Sequence, residues 1–445
     1  MKRWKIVYDS YCKAVEQVYA AVQPFVDYSL VCDDNPDEHY HMITLKIDGT
    51  QEGYRIDADS EEDGKQYINI TAQDEIHLMY AASDFRNKYI PFTKNCHQSD
   101  PIYYFQHPFV DAIKPYHLDT KPRIKQRGIW TWGYVICDYK RYIDNMVTLK
   151  LNTLIIWNDY VPANMQQVIS YAHENGISIY LGFAWGWDQD CKEGIAIEKE
   201  QLAKQVIDNY RENYAHLGCD GVYFQSFTEL NQEDVGGVSI AEAVTEFVNL
   251  TASRILETDP HLKLLFGLHA NSVKRKLDVI QKVDPRISII WENLGSFPYA
   301  NTPNEVEHFT ETLDLTRKTQ QLRENGDFGV VLKGVTLLNW ATFEHQEGSF
   351  LLGVKGQDEI DKLYKEKQEI LRYVQSYWIR NAKYALEIMK EFRENDMVTA
   401  LNEDCIFEEI INYPMALYAQ MMWDSERSIE DILCETALMP DVTFV

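Results

Sequence analysis

Apolar and polar positions along the chain change rhythm twice. Up to about residue 95 two periods mix. Gly53–Ala58 (GYRIDA) and Tyr67–Ala72 (YINITA) place apolar side chains at every second position, the spacing of half-buried strands, with the acidic turn SEEDGK between them. Ile76–Phe85 (IHLMYAASDF) then has the spacing of an amphipathic helix, so a small sheet with a helix laid on it is predicted here.

From Lys121 short continuous apolar runs alternate with helical stretches. The runs are GIWTW, LNTLIIWND, ISIYLGFAWGWD, CDGVYFQSF, KLLFGLHAN, ISIIWEN and GVTLLNW. Strands that are apolar on both faces and alternate with helices predict a parallel sheet covered on both sides. Glycines after "HEN" and "HL" mark helix stops before Ile177 and Cys219. No GxGxxG or Walker A loop follows any strand, and so many βα units suit a TIM-type (β/α)8 barrel better than an open doubly wound sheet. An eighth strand is not obvious; SFLLGV at 349–354 is a candidate. After residue 357 the pattern is helical throughout. The expected division is a small α/β domain over 1–120, a barrel over 121–356 and a helical extension over 357–445.

In such a barrel, chemistry gathers at the C-terminal ends of the strands, where the loops converge. The predicted ends carry Trp130 and Trp132; Trp157, Asn158 and Asp159; Trp185, Trp187 and Asp188; Gln225, Thr228 and Glu229; His269 and Asn271; Trp291, Glu292 and Asn293; and Asn339, Trp340, Phe343, Glu344 and His345. Seven of the ten tryptophans thus fall at strand ends. Indoles beside carboxylates and amides suit a sugar, whose ring faces stack on flat apolar surfaces while its hydroxyls take hydrogen bonds. Barrel-end packing is the alternative for any single Trp.

Cleaving a glycosidic bond requires two carboxyl groups, one protonated and one ionised. Glu229 and Glu292 are the best-placed pair: each follows an apolar strand and has an aromatic nearby. Glu229 is assigned as general acid and Glu292 as the second carboxylate, with Asp159, Asp188 and Glu344 as competitors for the second role. Each glutamate also has a structural alternative as a helix cap or first-turn carboxylate. Asp138 reads as the cap of the first barrel helix, and His173-Glu174 as a helix end.

Charge and cysteine usage narrow the partners. With 43 basic and 69 acidic residues the net charge is −26, which repels nucleic acid and anionic membranes. The eight cysteines show no CxxC pair, so they read as free thiols in a reducing compartment. The basic start MKRWK lacks an apolar signal segment, no run is long enough to span a bilayer, and a cytoplasmic location is expected. The expected partner is an oligosaccharide substrate; no cofactor or metal is expected, and a homo-oligomer is compatible with the sequence.

Two stretches carry a family resemblance. Strand, turn, strand and then LMYAASDF resembles the small α/β domain that precedes the catalytic barrel of β-hexosaminidases and α-glucuronidases. RGIWTWGYVICDYKRYIDNMVTLKLNTLIIWND is similar to the opening of the barrel in the same superfamily. The resemblance implies a barrel glycosidase with its general acid at the end of strand four, the position of Glu229. It departs from the β-hexosaminidases at Thr228-Glu229, where those using the substrate's acetamido group have adjacent Asp-Glu. A mechanism with two protein carboxylates, as in the α-glucuronidases, therefore fits better. The strand ends are nevertheless poor in the cations a uronic acid would require, Lys333 and Arg127 being the candidates.

The expectation is an exo-acting glycoside hydrolase on short soluble oligosaccharides. Two alternatives remain: a glycan-binding barrel without catalysis, and a metal-dependent isomerase using His269, Asp188, Glu229 and Glu292. Ser226 lies in QSF rather than in a GxSxG elbow, and Cys219 lies at the start of its strand, so both read as core residues.

Overall fold

The computed structural model describes residues 3–23, 30–36, 39–61, 64–90, 114–158, 161, 163–186, 199–227, 233–235, 237–268, 273–293, 309–323, 326–335 and 353–445. They form two units. The first comprises residues 1–122 with 147–150 and 430–443, and the second the rest of the chain.

In the first unit, β1 (Arg3–Tyr8), β2 (Val31–Cys32), β3 (Tyr40–Ile47), β4 (Tyr54–Ser60), β5 (Gln66–Ala72) and β6 (Tyr116–Thr120) form one sheet of order β2-β1-β3-β5-β4-β6. The alternation in GYRIDA and YINITA becomes the antiparallel pair β4 and β5, in which Ile56 faces Ile70 and Ala58 faces Ile68. Helices α1 (Lys13–Val22) and α2 (Glu75–Asp84) pack beside each other on this sheet. Asp74 starts α2 by accepting the His77 amide at 2.8 Å, satisfying a backbone donor the helix cannot reach itself. At the far end of α2 the buried Asp84 accepts from Tyr54 Oη at 2.5 Å and pairs with Lys150 at 2.9 Å and Lys88 at 3.0 Å.

The second unit is a closed parallel barrel. Its strands are β7 (Gln126–Trp132), β8 (Thr153–Trp157), β9 (Ser178–Ala184), β10 (Gly221–Gln225), β13 (Lys263–Leu268), β14 (Ile287–Asn293), β15 (Phe328–Leu332) and β16 (Met397–Leu401). A two-residue ladder, β11 (Asp234–Val235) with β12 (Val238–Ser239), interrupts the loop after β10. Helices α3 (Tyr139–Thr148), α4 (Met165–Glu174), α5 (Lys199–Asn209), α6 (Ile240–Thr258), α7 (Leu277–Ile280), α8 (Phe309–Gln320) and the 33-residue α9 (Gln357–Met389) separate the strands. Two further helices, α10 (Tyr413–Trp423) and α11 (Ile429–Leu438), follow the barrel.

Six expected strands lie where the apolar runs placed them, and the last two do not. The seventh is Phe328–Leu332 rather than GVTLLNW; Lys333-Gly334 separates two equally apolar runs, and the first of them pairs with β14. The eighth is Met397–Leu401, not the SFLLGV segment, most of which lies outside the described residues. The barrel therefore closes well beyond the expected limit at 356. A five-residue apolar run cannot be told from a helix segment by periodicity, so MVTAL, set among helical stretches, carries no strand signal of its own.

Each strand contributes to one interior cluster: Trp130, Ile155, Trp157, Tyr180, Tyr223, Leu265, Ile290, Val331, Met397 and Leu401. With the strand period of two, these positions fix which side chains face the axis. The RG of β7 has a geometric basis, because a Cβ on Gly128 would sit 1.7 Å from Thr153 O. The Arg127 guanidinium bonds the Ile124 and Lys125 carbonyls at 3.0 and 3.1 Å and lies over Trp423 at 4.8 Å, at the N-terminal end of the barrel. No helix among the described residues is long and apolar enough to cross a membrane.

Candidate active site

The two inward residues at the end of β10 converge on one carboxylate. Tyr223 donates its hydroxyl to Glu292 Oε1 at 2.5 Å, and the Gln225 amide donates to the same oxygen. On the other side Lys333 brings its ammonium 3.0 Å from Oε2. Glu292 is 2% exposed. Three donors, one of them a charged ammonium, stabilise the ionised form of this carboxylate over the protonated one.

Lys333, the residue after β15, continues the inward alternation of that strand two positions past Val331. Its backbone is held from outside the barrel: Trp378 of α9 donates to Gly334 O at 2.7 Å, and Tyr418 of α10 donates to Lys333 O at 3.3 Å. Its ammonium lies 5.8 Å from the Trp130 ring.

Glu403, two residues past β16, was absent from the sequence-based candidates. It is 1% exposed and accepts from the half-buried Trp132 indole at 2.8 Å. The backbone beside it is clamped to β7, with Asn402 N on Trp130 O at 3.1 Å and Thr131 Oγ1 donating to Asn402 O at 2.6 Å. Burial pushes the Glu403 carboxyl up to about 7; the Lys333 ammonium and the Trp132 hydrogen bond oppose the rise, and the Glu292 charge adds to it. Its sequence signal is the apolar run followed by Asn402-Glu403, the same change from apolar to amide and carboxylate that ends IIWND and IIWEN.

Aromatic rings form the floor beneath these groups. Trp130 and Trp157 stack at 6.3 Å and 23°, and Trp132 stands edge-on to both. Tyr223 meets Trp130 and Trp157 edge-on at 5.9 Å. Gly267 makes room for Tyr223, since a Cβ there would lie 2.1 Å from the Tyr223 hydroxyl. Asn158, just past β8, is buried at 4% exposure.

Two of the expected indoles are elsewhere. Trp185 is fully buried and stacks at 3.7 Å on Phe224, an outward residue of β10, so it belongs to the layer between sheet and helices. Trp291 is 1% exposed and alternates with the inward Ile290 and Glu292, so it points to that same outer layer. The apolar runs are hydrophobic on both faces, and nothing in their composition separates a platform from core packing. Asn293 ends β14. Asp159, Trp187, Asp188, Glu229, His269, Asn271, Trp340 and Glu344 lie outside the described residues.

Other readings can be placed. Asp138 caps α3 by accepting the Arg141 amide at 3.1 Å. Burial pushes the Cys219 thiol up to about 11, and the six cysteines among the described residues are free thiols. Ser226 is fully buried. No group of three or more His, Cys, Asp and Glu among the described residues is arranged to hold a metal ion.

No family model matches the chain, and no curated protein sequence matches it significantly. Solved structures do. A mutant Streptomyces plicatus beta-hexosaminidase in complex with its product GlcNAc superposes with TM-score 0.55 at 13% identity, over 100% of this chain and 93% of that one. The GH20 beta-N-acetylhexosaminidase of Streptomyces coelicolor A3(2) gives 0.53 at 11% identity, over 100% and 94%. A GH138 enzyme targeting pectin rhamnogalacturonan II gives 0.50 at 10% identity, over 96% of this chain and 52% of that one. The fold is therefore that of the β-hexosaminidase-like barrel enzymes, with the small α/β domain ahead of the barrel that the sequence resemblance implied.

Proposed function

We propose that the protein is a glycoside hydrolase that removes a terminal sugar at the barrel mouth. Glu292 serves as the ionised carboxylate and Glu229, four residues past β10, as the general acid. The observation that carries this reading is the Glu292 carboxylate, fixed by Tyr223, Gln225 and Lys333 beside an indole-lined floor. A buried, positioned carboxylate next to flat apolar rings is the equipment for stabilising a positively charged, oxocarbenium-like centre. The fold shared with the Streptomyces beta-hexosaminidases supports the same direction.

A second assignment rests on Glu403. A carboxyl that keeps its proton up to about pH 7 has the property a general acid needs, and Glu403 faces the same two partners, Lys333 and Glu292. It competes with Glu229 for that role and leaves the reaction class unchanged.

The test is a panel of aryl α- and β-glycosides with the wild type and the variants Glu229→Gln, Glu292→Gln and Glu403→Gln. The acid is the residue whose loss cripples substrates with poor leaving groups and spares those with activated ones. Glu292→Gln is expected to cost a hundredfold or more on both kinds. Absence of turnover across the panel by folded wild-type protein would remove the hydrolase reading.

A further inference from the structure

The charge arrangement of this site narrows the sugar it takes. Among the described residues, the buried cations of the barrel unit are already engaged. Lys333 is bonded to Glu292, Lys355 to Glu408 and to the Cys405 carbonyl, and Arg323 to the carbonyls of Ile287 and Val283. Arg127, one of the two cations expected to meet a uronate, is bound to backbone carbonyls at the opposite end of the barrel. Among the described residues at the mouth, one ammonium, that of Lys333, stands against two buried carboxyl groups, Glu292 and Glu403.

We infer that the site accepts a terminal sugar without an acidic substituent, and that Glu403, held by Trp132 beside Lys333, is the residue that enforces this. The inference rests on the hydrolase reading for the location of the site. Above pH 7, where Glu403 is ionised, a uronate placed over the Trp132 edge would bring a third carboxylate to a group that has one ammonium and two buried carboxylates. Like charges that cannot be solvated there act as a repulsive element against the wrong ligand. A neutral hexose meets no such penalty, and an amino sugar brings the missing positive charge.

The test is equilibrium binding by titration calorimetry of glucose, galactose, N-acetylglucosamine, glucosamine and glucuronate to the full chain at pH 8, with aryl hexosides and aryl uronides assayed in parallel. The wild type is expected to favour at least one neutral or amino sugar over glucuronate by a hundredfold or more, and Glu403→Gln to reduce that ratio at least tenfold. Should the variant not fold, the wild type supplies the check. Lowering the pH from 8 to 5 protonates Glu403 while glucuronate stays ionised, so the ratio must shrink. Glucuronate binding as tight as the best neutral sugar, a ratio indifferent to both the variant and the pH, or no sugar bound at all would overturn the inference. Binding in the expected order without hydrolysis of any glycoside would sink the hydrolase reading alone.

Discussion

Lys333, directly after β15, and Glu292 on the neighbouring β14 meet at 3.0 Å with both side chains buried. Each leaves the other with a compensated charge, and Glu403 shares the field of both. Removing one member strands the other. Lys333→Met is expected to destabilise the protein by about 3–5 kcal/mol, measured by denaturant unfolding. It should also lower kcat/KM a hundredfold or more on any substrate found. Because Lys333 opposes the rise of the Glu403 pKa, the variant's Glu403 should titrate above 7, while Lys333→Arg should keep the wild-type value. A Met variant with an unchanged pH profile would separate Lys333 from the carboxylates.

Tyr223 and Gly267 test how the site is positioned. The Tyr223 hydroxyl reaches Glu292 only because Gly267 has no side chain; an added Cβ would lie 2.1 Å from that oxygen and 2.6 Å from the ring carbon bearing it. Gly267→Ala should cost about 1–3 kcal/mol of stability through overpacking. Tyr223→Phe should cost about 1.5–3 kcal/mol by removing a hydrogen bond to a charged group. The two act on the same atom, so the double variant should fall short of their sum. Strict additivity in unfolding measurements would show that Gly267 does not set the Tyr223 position.

Much of this architecture is legible in the sequence, and the failures share a cause. GYRIDA and YINITA alternate cleanly because one face of the small sheet is buried and the other is not, and they became β4 and β5. The barrel strands are apolar on both faces, so their existence is plain while their register is hidden. Trp130, Trp132 and Trp157 face the axis, whereas Trp185 and Trp291, in runs that look the same, face the helices. Only the closed barrel decides between them. Glu403 was missed because its strand was missed: MVTAL stands between a 33-residue helix and further helices, and its five residues carry no period of their own.

The first unit contains a buried ion pair that is independent of the site. Burial alone would raise the Asp84 carboxyl, but Lys150, Lys88 and the Tyr54 hydroxyl hold it well below the usual carboxylate range. A depressed carboxylate contributes stability that is present above its unfolded value, near 4, and is lost as the pH falls toward the folded value. Lys150→Met should cost about 3–5 kcal/mol at pH 7 by leaving Asp84 short of a partner. That loss should diminish below pH 4, and pairing the change with Asp84→Asn should recover part of it. Unfolding curves at pH 7 and pH 3 for the three variants check this; a Lys150→Met penalty that does not change with pH would contradict it.

Glu403 carries the opposite linkage. Its carboxyl is raised from the ordinary glutamate value to about 7, so between those two pH values the folded protein keeps a proton that the unfolded chain has released. Stability contributed by this group therefore falls as the pH rises, and the deficit is complete above 7. With 1.36 kcal/mol per pH unit, the wild type should lose roughly 3 kcal/mol relative to Glu403→Gln between pH 4.5 and pH 8. Asp404 and Glu408 are also raised by burial, but they are present in both proteins and cancel in the difference. The variant should accordingly be the more stable protein at pH 8, by a few degrees in Tm, with its advantage shrinking steadily toward pH 4.5. A difference between the two proteins that stays constant across this range would mean that Glu403 is ionised throughout. It would then be unfit to carry a proton in the reaction, and the general acid would be Glu229.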